Sequence, residues 1–106
     1  MVKLTEIREL ARTIAQEFKP ERIVLFGSHA RGAAAGESDV DLLVILSFRG
    51  KGCRKAVEIL ERVKPVFALD LVLRTPEQFE QRIQQGDFFL RRIAQEGVVL
   101  YENPHA

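Results

Sequence analysis

Hydrophobic positions along the chain follow two spacings, which predict helices and buried strands in alternation. Apolar residues at Leu4, Ile7, Ala11, Ile14 and Phe18 stand three or four positions apart, the spacing of an amphipathic helix. Short unbroken apolar runs, by contrast, indicate strands that are covered on both faces. These runs are Arg22 to Phe26, Val40 to Leu46, Val66 to Leu73 and Val98 to Tyr101.

The segments between the predicted strands carry helix signals. A short helix is expected to begin at Ser28, and the spacing of apolar residues between Gly50 and Pro65 predicts a longer one. Thr75 opens a capping box, Asp87 can cap a following segment, and Gly97 ends that segment. The whole pattern predicts an α/β (α+β) fold with a small mixed sheet of about four strands flanked by helices.

Composition narrows the class of protein. A chain of 106 residues suits a single domain, 1–106. Sixteen Lys and Arg against fifteen Asp and Glu leave a net charge of +1, so no broad surface for nucleic acid is expected. Cys53 is the only cysteine, which excludes an internal disulfide and a cysteine-based zinc site and fits a reducing cytoplasm. No apolar run approaches membrane-spanning length, so we expect a cytoplasmic protein without a membrane partner.

Two aspartates stand at the start of the second predicted strand. Asp39 and Asp41 are two residues apart, so in an extended chain their side chains share one face, with Cα atoms roughly 6.5 to 7 Å apart. Carboxylates at that distance repel each other unless a cation lies between them, and oxygen ligands favour Mg²⁺ or Mn²⁺. The alternative is a solvated turn in which Ser38 and Asp39 cap backbone amides.

A third carboxylate interrupts the third predicted strand. Asp70 stands inside the apolar run, where an unpaired charge would cost several kcal/mol if it were buried. A metal shared with Asp39 and Asp41 would satisfy it. An edge position, or a salt bridge to Arg22 or Arg74, would do so as well.

The turn after the first predicted strand is suited to an anion. Gly27 lets the backbone approach a ligand closely, and Ser28 adds a hydroxyl at a helix start whose amides are free. Arg31 lies one helical turn further on, within reach of the same anion. The alternatives are an ordinary turn and a surface arginine.

These residues form a recognisable signature. Gly27-Ser28, ten intervening residues and the Asp-Val-Asp sequence at 39–41 match the G-S-x10-D-x-D motif of the polymerase-beta-type nucleotidyltransferase superfamily. The fuller stretch GSHARGAAAGESDVDLLV resembles its minimal nucleotidyltransferase branch. The resemblance implies a nucleotidyltransferase fold and a transfer of a nucleotidyl group from ATP.

The resemblance also implies roles for the motif residues. Asp39 and Asp41 would ligate two Mg²⁺ ions, with Asp70 binding the catalytic one. Gly27 and Ser28 would hold the β- and γ-phosphates of ATP.

Two further roles complete the implied chemistry. Arg31 would contact phosphate or stabilise the leaving group. A hydroxyl would attack the α-phosphate and displace pyrophosphate, with Asp70 as candidate proton acceptor.

The resemblance further implies a partner. Minimal nucleotidyltransferases of this size resemble the MntA-type antitoxin of a toxin–antitoxin pair, which transfers AMP to a tyrosine of a HEPN-domain toxin. The alternatives are a non-catalytic antitoxin that neutralises the toxin by binding, and transfer to a small molecule or an RNA. The segment Phe88 to Arg92 is either a docking surface, for the partner or for a second copy in a homo-oligomer, or core packing with a solvated arginine pair.

Overall fold

The computed structural model describes residues 2–32 and 39–104, in which helices and strands follow the predicted order. Ser38, predicted to cap the turn, lies outside the described residues. The elements are α1 Leu4–Phe18, β1 Arg22–Phe26, α2 Ser28–Arg31, β2 Val40–Ile45, α3 Gly52–Val63, β3 Leu69–Arg74, α4 Pro76–Gln84, α5 Phe88–Glu96 and β4 Val98–Glu102.

The strands form a mixed sheet in the order β3, β2, β1, β4. β1 is antiparallel to both β2 and β4, whereas β2 and β3 are parallel and are connected through α3. The central strands β1 and β2 are buried along almost their whole length. The predicted small mixed sheet flanked by helices is confirmed.

One strand boundary was predicted wrongly. β3 begins at Leu69 rather than Val66, and Val66 is 91% exposed. The first bond between β2 and the segment leading into β3 runs from the Val40 amide to the Ala68 carbonyl, at 3.0 Å. The residues after Pro65 therefore carry the chain from α3 to the sheet before pairing starts.

The helices cover the two faces of the sheet to different extents. α1 and α3 pack on one face, where Ile7, Ile14, Leu42 and Ile59 belong to the larger core cluster. On the other face, Leu90 and other residues of α4 and α5 pack in a smaller cluster against alternate residues of β1 and β2. Asp41 alternates with Leu43 and Ile45 along β2 and therefore projects to this second face, as does its neighbour Asp70.

Local capping holds the helices of the second face at their predicted starts. The Gln78 amide donates to the Thr75 hydroxyl at 3.1 Å and the Thr75 amide to the Gln78 side chain at 3.0 Å. The Leu90 amide donates to the Asp87 carboxylate at 3.0 Å. Each bond satisfies an amide that a helix start leaves free.

We expect Thr75→Ala to lower the free energy of unfolding by about 1 kcal/mol, because the capping bond is lost. Denaturant unfolding measures the change. Thr13→Ala is the matched control, since its hydroxyl bonds only the Glu9 carbonyl on an exposed helix surface. The higher helix propensity of alanine should leave the value unchanged or raise it by about 0.5 kcal/mol. An equal loss in both variants would contradict the capping role.

Candidate active site

Two carboxylates lie side by side where the parallel strands begin. The register pairs Asp41 of β2 with Asp70 of β3. Paired residues of adjacent strands lie about 4.8 Å apart and project to the same side of the sheet. Asp39 is the exposed residue immediately before β2. The structure therefore brings Asp41 and Asp70 together and places Asp39 at the mouth of the same strand.

The three carboxylates interact electrostatically. Partial burial raises the pKa of Asp41, and the negative charges of Asp70 and Asp39 raise it further. The positive charges of His29 and Arg31 act in the opposite direction on that pKa. The site thus concentrates negative charge at Asp41, with cationic side chains of α2 close by.

A glycine brings the turn after β1 against this acidic group. Gly27 has φ of 77°, and a Cβ at this position would collide with the Asp41 carboxylate. Phe26, the last residue of β1, pairs with Asp41 across the sheet. The amides of Ala30 and Arg31 return to the Gly27 carbonyl at 3.1 and 3.2 Å, so the turn passes directly into α2. The predicted anion turn and Asp41 are therefore in contact.

A cleft beside this turn was missed by the sequence analysis. It has a volume of about 250 Å³ and lies between α2 and α5. Phe26 and Phe89 meet in its wall edge to face, with ring centroids 5.6 Å apart, and exposed Arg31 lies on its rim. The two aromatic residues are far apart in the chain, so no local pattern could reveal the cleft.

The structure decides among the alternatives that the sequence left open for the surroundings of Asp70. β3 is an edge strand and Asp70 is exposed, so it bears no large desolvation cost. Neither predicted arginine pairs with it: Arg22 lies 3.3 Å from Glu102, and Arg74 donates to the Leu73 carbonyl at 2.8 Å. The alternative of an edge position is the one found, and the argument for a ligand at Asp70 now rests on its place beside Asp41.

In the segment from Phe88 to Arg92 the core-packing alternative holds for Leu90 alone, and the docking surface stays a prediction. Leu90 is fully buried, whereas Phe88 is 87% exposed and Phe89 50% exposed. Arg92 pairs with Glu96 at 2.8 Å on the helix surface. Core packing therefore applies to one apolar residue of the three.

The donor set fits a divalent metal that is shared with a bound nucleotide. Within the described parts of the chain, no group of three or more His, Cys, Asp or Glu side chains could hold a metal alone. Mg²⁺ is usually held by one or two carboxylates together with substrate phosphates and water. Asp41 beside Asp70, next to the Gly27 turn, matches that incomplete set. A cation would also relieve the repulsion that raises the pKa of Asp41.

The fold and the motif agree with a family model described as a nucleotidyltransferase domain, which matches residues 7–101. The chain belongs to this nucleotidyltransferase family. No helix in residues 2–32 or 39–104 has both the length and the apolar character that a membrane crossing requires.

Two similar proteins come from Methanocaldococcus jannaschii. MJ0604, a candidate protein adenylyltransferase by name, is 28% identical over 101 residues, which cover 90% of this chain and 94% of the relative. MJ1379, named in the same way, is 31% identical over 80 residues, which cover 71% and 80%. The chain therefore spans most of the length of both.

Solved structures share the fold. A candidate nucleotidyltransferase from Sulfolobus solfataricus has a TM-score of 0.63 at 19% identity and covers 94% of this chain and 80% of its own. A toxin–antitoxin structure with AMP-PNP has a TM-score of 0.59 at 17% identity, covering 92% and 75%. At these identities the likeness is one of fold.

We expect Gly27→Ala to destabilise the protein by about 1 to 3 kcal/mol, because it combines a strained backbone with a collision at Asp41. Gly32→Ala is the matched control. Gly32 also has a positive φ, of 69°, but nothing lies within 4 Å of its added Cβ. Denaturant unfolding should show the larger loss for Gly27→Ala, and equal losses would argue against the contact with Asp41.

We expect Asp41→Asn to stabilise the protein when no metal is present. The raised pKa means that the native state holds the Asp41 proton more tightly than the unfolded chain does. Stability therefore falls as pH rises from the unfolded pKa through the folded one, and the ionised group destabilises the fold at neutral pH. Because Asp41 is only partly buried, water screens this repulsion, and we expect a modest rise in Tm.

Thermal unfolding in the presence of EDTA measures the effect of Asp41→Asn. Glu61→Gln, which removes an exposed charge on α3, is the control and should leave the Tm unchanged. A lower Tm for Asp41→Asn than for the wild-type protein would refute the repulsion.

Proposed function

We propose that this nucleotidyltransferase is a Mg²⁺-dependent protein adenylyltransferase, which transfers AMP from ATP to a tyrosine of a HEPN-domain toxin and so acts as its antitoxin. The observation that carries the proposal is the contact of Gly27 with Asp41, which itself pairs with Asp70. A phosphate-binding turn and two metal-binding carboxylates would then flank one reacting phosphorus. The names of the two archaeal relatives and the toxin–antitoxin neighbours support the acceptor class.

In this proposal the chain holds ATP from both sides. The Gly27 turn approaches the β- and γ-phosphates, and Ser28 donates its hydroxyl to them. Arg31, exposed at the end of α2, balances the charge of the departing pyrophosphate. Asp39, Asp41 and Asp70 would hold the two Mg²⁺ ions of this proposal, and bound metal would supply a lower pKa for the attacking hydroxyl and neutralisation of charge on the phosphates.

The transfer step is an in-line substitution at the α-phosphorus. A bond forms between the acceptor oxygen and phosphorus, and the bond from phosphorus to the bridging oxygen of pyrophosphate breaks. The acceptor proton passes to Asp70 or to water. The exposed edge position of Asp70 allows an acceptor on another protein to reach it.

Incubation with labelled ATP, Mg²⁺ and the product of the neighbouring gene tests the proposal, which expects that product to be a HEPN-domain protein. We expect Asp39→Ala/Asp41→Ala to lower labelling of the partner at least about a hundredfold, because metal at a transferring phosphate stabilises the transition state by several kcal/mol. Glu61→Ala/Glu77→Ala removes the same charge from exposed positions on α3 and α4 and should label normally.

Other results would favour the rival functions. Protection of cells by the double aspartate variant would support neutralisation by binding alone. Labelling of an RNA without a protein partner would support transfer to nucleic acid. Undiminished labelling by the double aspartate variant would reject the proposed site.

A further inference from the structure

An open backbone edge flanks Asp70. The Val40 amide donates to the Ala68 carbonyl and the Leu46 amide to the Arg74 carbonyl, each at 3.0 Å. In a parallel pair, alternate residues direct both backbone groups to the same neighbour. The backbone N–H and C=O groups of Asp70, and of every second residue on either side of it, therefore point toward β2. The backbone groups of Leu69 and Leu71 point outward from the sheet.

These outward groups are unused by the protein itself. β3 has no neighbour on that side, and nothing in the described stretches 2–32 and 39–104 bonds the outward groups of Leu69 or Leu71. The next outward position is closed, since Arg74 donates to the Leu73 carbonyl at 2.8 Å and Gly52 packs against that oxygen. The free part of the edge is therefore the stretch on either side of Asp70.

A groove with room for about 600 Å³ lies between the start of α3 and α4, and it meets the free part of the edge at Leu71. Arg74 and Arg82 line it, and no carboxylate among the described residues does so. The Arg74 Nε atom is buried and has no hydrogen-bond partner. Arg82 lies 3.6 Å from Asp87 but remains half exposed on the rim. The groove is suited to a chain that carries negative charge.

We propose that the edge of β3 is the docking site of the acceptor, which binds as an extended acidic segment pairing with Leu69 and Leu71. Edge strands recruit peptides in this way, with backbone bonds supplying affinity. The residue opposite Asp70 would project to the face that carries Asp41, with Cβ atoms about 4.5 to 5.5 Å from its neighbour. An acceptor hydroxyl at that position would stand at the carboxylates.

Two other occupants agree less well with the edge. Nucleic acid carries donors and acceptors but does not present them in the regular alternation of a strand edge, which the backbone groups of Leu69 and Leu71 require. A second copy pairing antiparallel at this stretch would set Asp70 opposite Asp70, and the two carboxylates repel. An acidic peptide segment satisfies both the backbone and the charge.

The inference rests on the proposed function only in naming the bound segment as the acceptor.

The probe is a short fluorescent peptide of alternating valine and glutamate with a central tyrosine. One twin carries lysine in place of glutamate, and another carries N-methylated amides that cannot donate. Binding is followed by anisotropy, and amide exchange at Leu69 and Leu71 by NMR.

We expect the acidic peptide to slow exchange at Leu69 and Leu71 and to bind about tenfold more tightly than either twin. Leu71→Pro removes an amide that the β2 ladder does not use and should weaken binding about tenfold. Arg82→Gln should weaken binding of the acidic peptide but not of the lysine twin. Unchanged MgATP affinity in Leu71→Pro and Arg82→Gln shows that the fold of each variant is intact. The N-methylated peptide tests the backbone pairing with β3 without any change to the protein.

The inference is overturned if no peptide binds, if the N-methylated twin binds equally, or if the exchange at Leu69 and Leu71 stays unchanged. The inference is also overturned if an RNA of equal charge slows amide exchange at Leu69 and Leu71 more strongly than the acidic peptide does. The same holds if sedimentation shows that self-association causes the slower exchange. Normal labelling of the partner by Leu71→Pro would reject the docking site and leave the proposed function standing. Peptide binding at Leu71 without labelling of any protein would reject the function and retain the docking site.

Discussion

The parallel pairing of β2 with β3 is the constraint on which the site depends. Its register sets Asp41 beside Asp70, and a shift by one residue would turn one of the two carboxylates to the opposite face. Buried apolar residues on both faces of β2 hold that register, because Leu42, Leu43 and Val44 are almost fully covered. The core thus fixes the positions of charges that lie outside it.

The acidic end of the sheet is stabilised from elsewhere in the molecule. Neighbouring carboxylates repel, and partial burial adds to the cost of ionising Asp41. Gly27 at a positive φ adds strain close to the same group. Burial of apolar side chains in the two core clusters, one on each face of the sheet, offsets this repulsion and strain. Strain and like charge at a single point are typical of a site organised for a ligand.

Sequence patterns predicted what is local. The order of elements and the capping by Thr75 and Asp87 depend on residues close in the chain. The motif that joins Gly27-Ser28 to the two aspartates depends on a fixed spacing. The boundary at Leu69 was missed because apolar residues after Pro65 resemble a strand before pairing begins. The roles of the motif residues stay predictions.

What lay beyond the sequence depends on strand order and on distant packing. Asp70 looks buried in an apolar run and becomes exposed only because β3 occupies an edge. The cleft between α2 and α5 requires Phe26 and Phe89 to meet across the fold. Neither fact has a periodic signature, since one-dimensional patterns do not record which strand lies outermost.

The edge position of β3 changes the meaning of its carboxylate. A buried Asp70 would serve a small substrate enclosed by this chain, and a chain of 106 residues has little surface with which to enclose one. An exposed Asp70 between outward-facing backbone groups leaves the site open on the side from which a macromolecule can approach. In the proposed docking, one strand edge would supply both the carboxylate and the means of aligning an acceptor with it. The partner would then form the missing wall of the site.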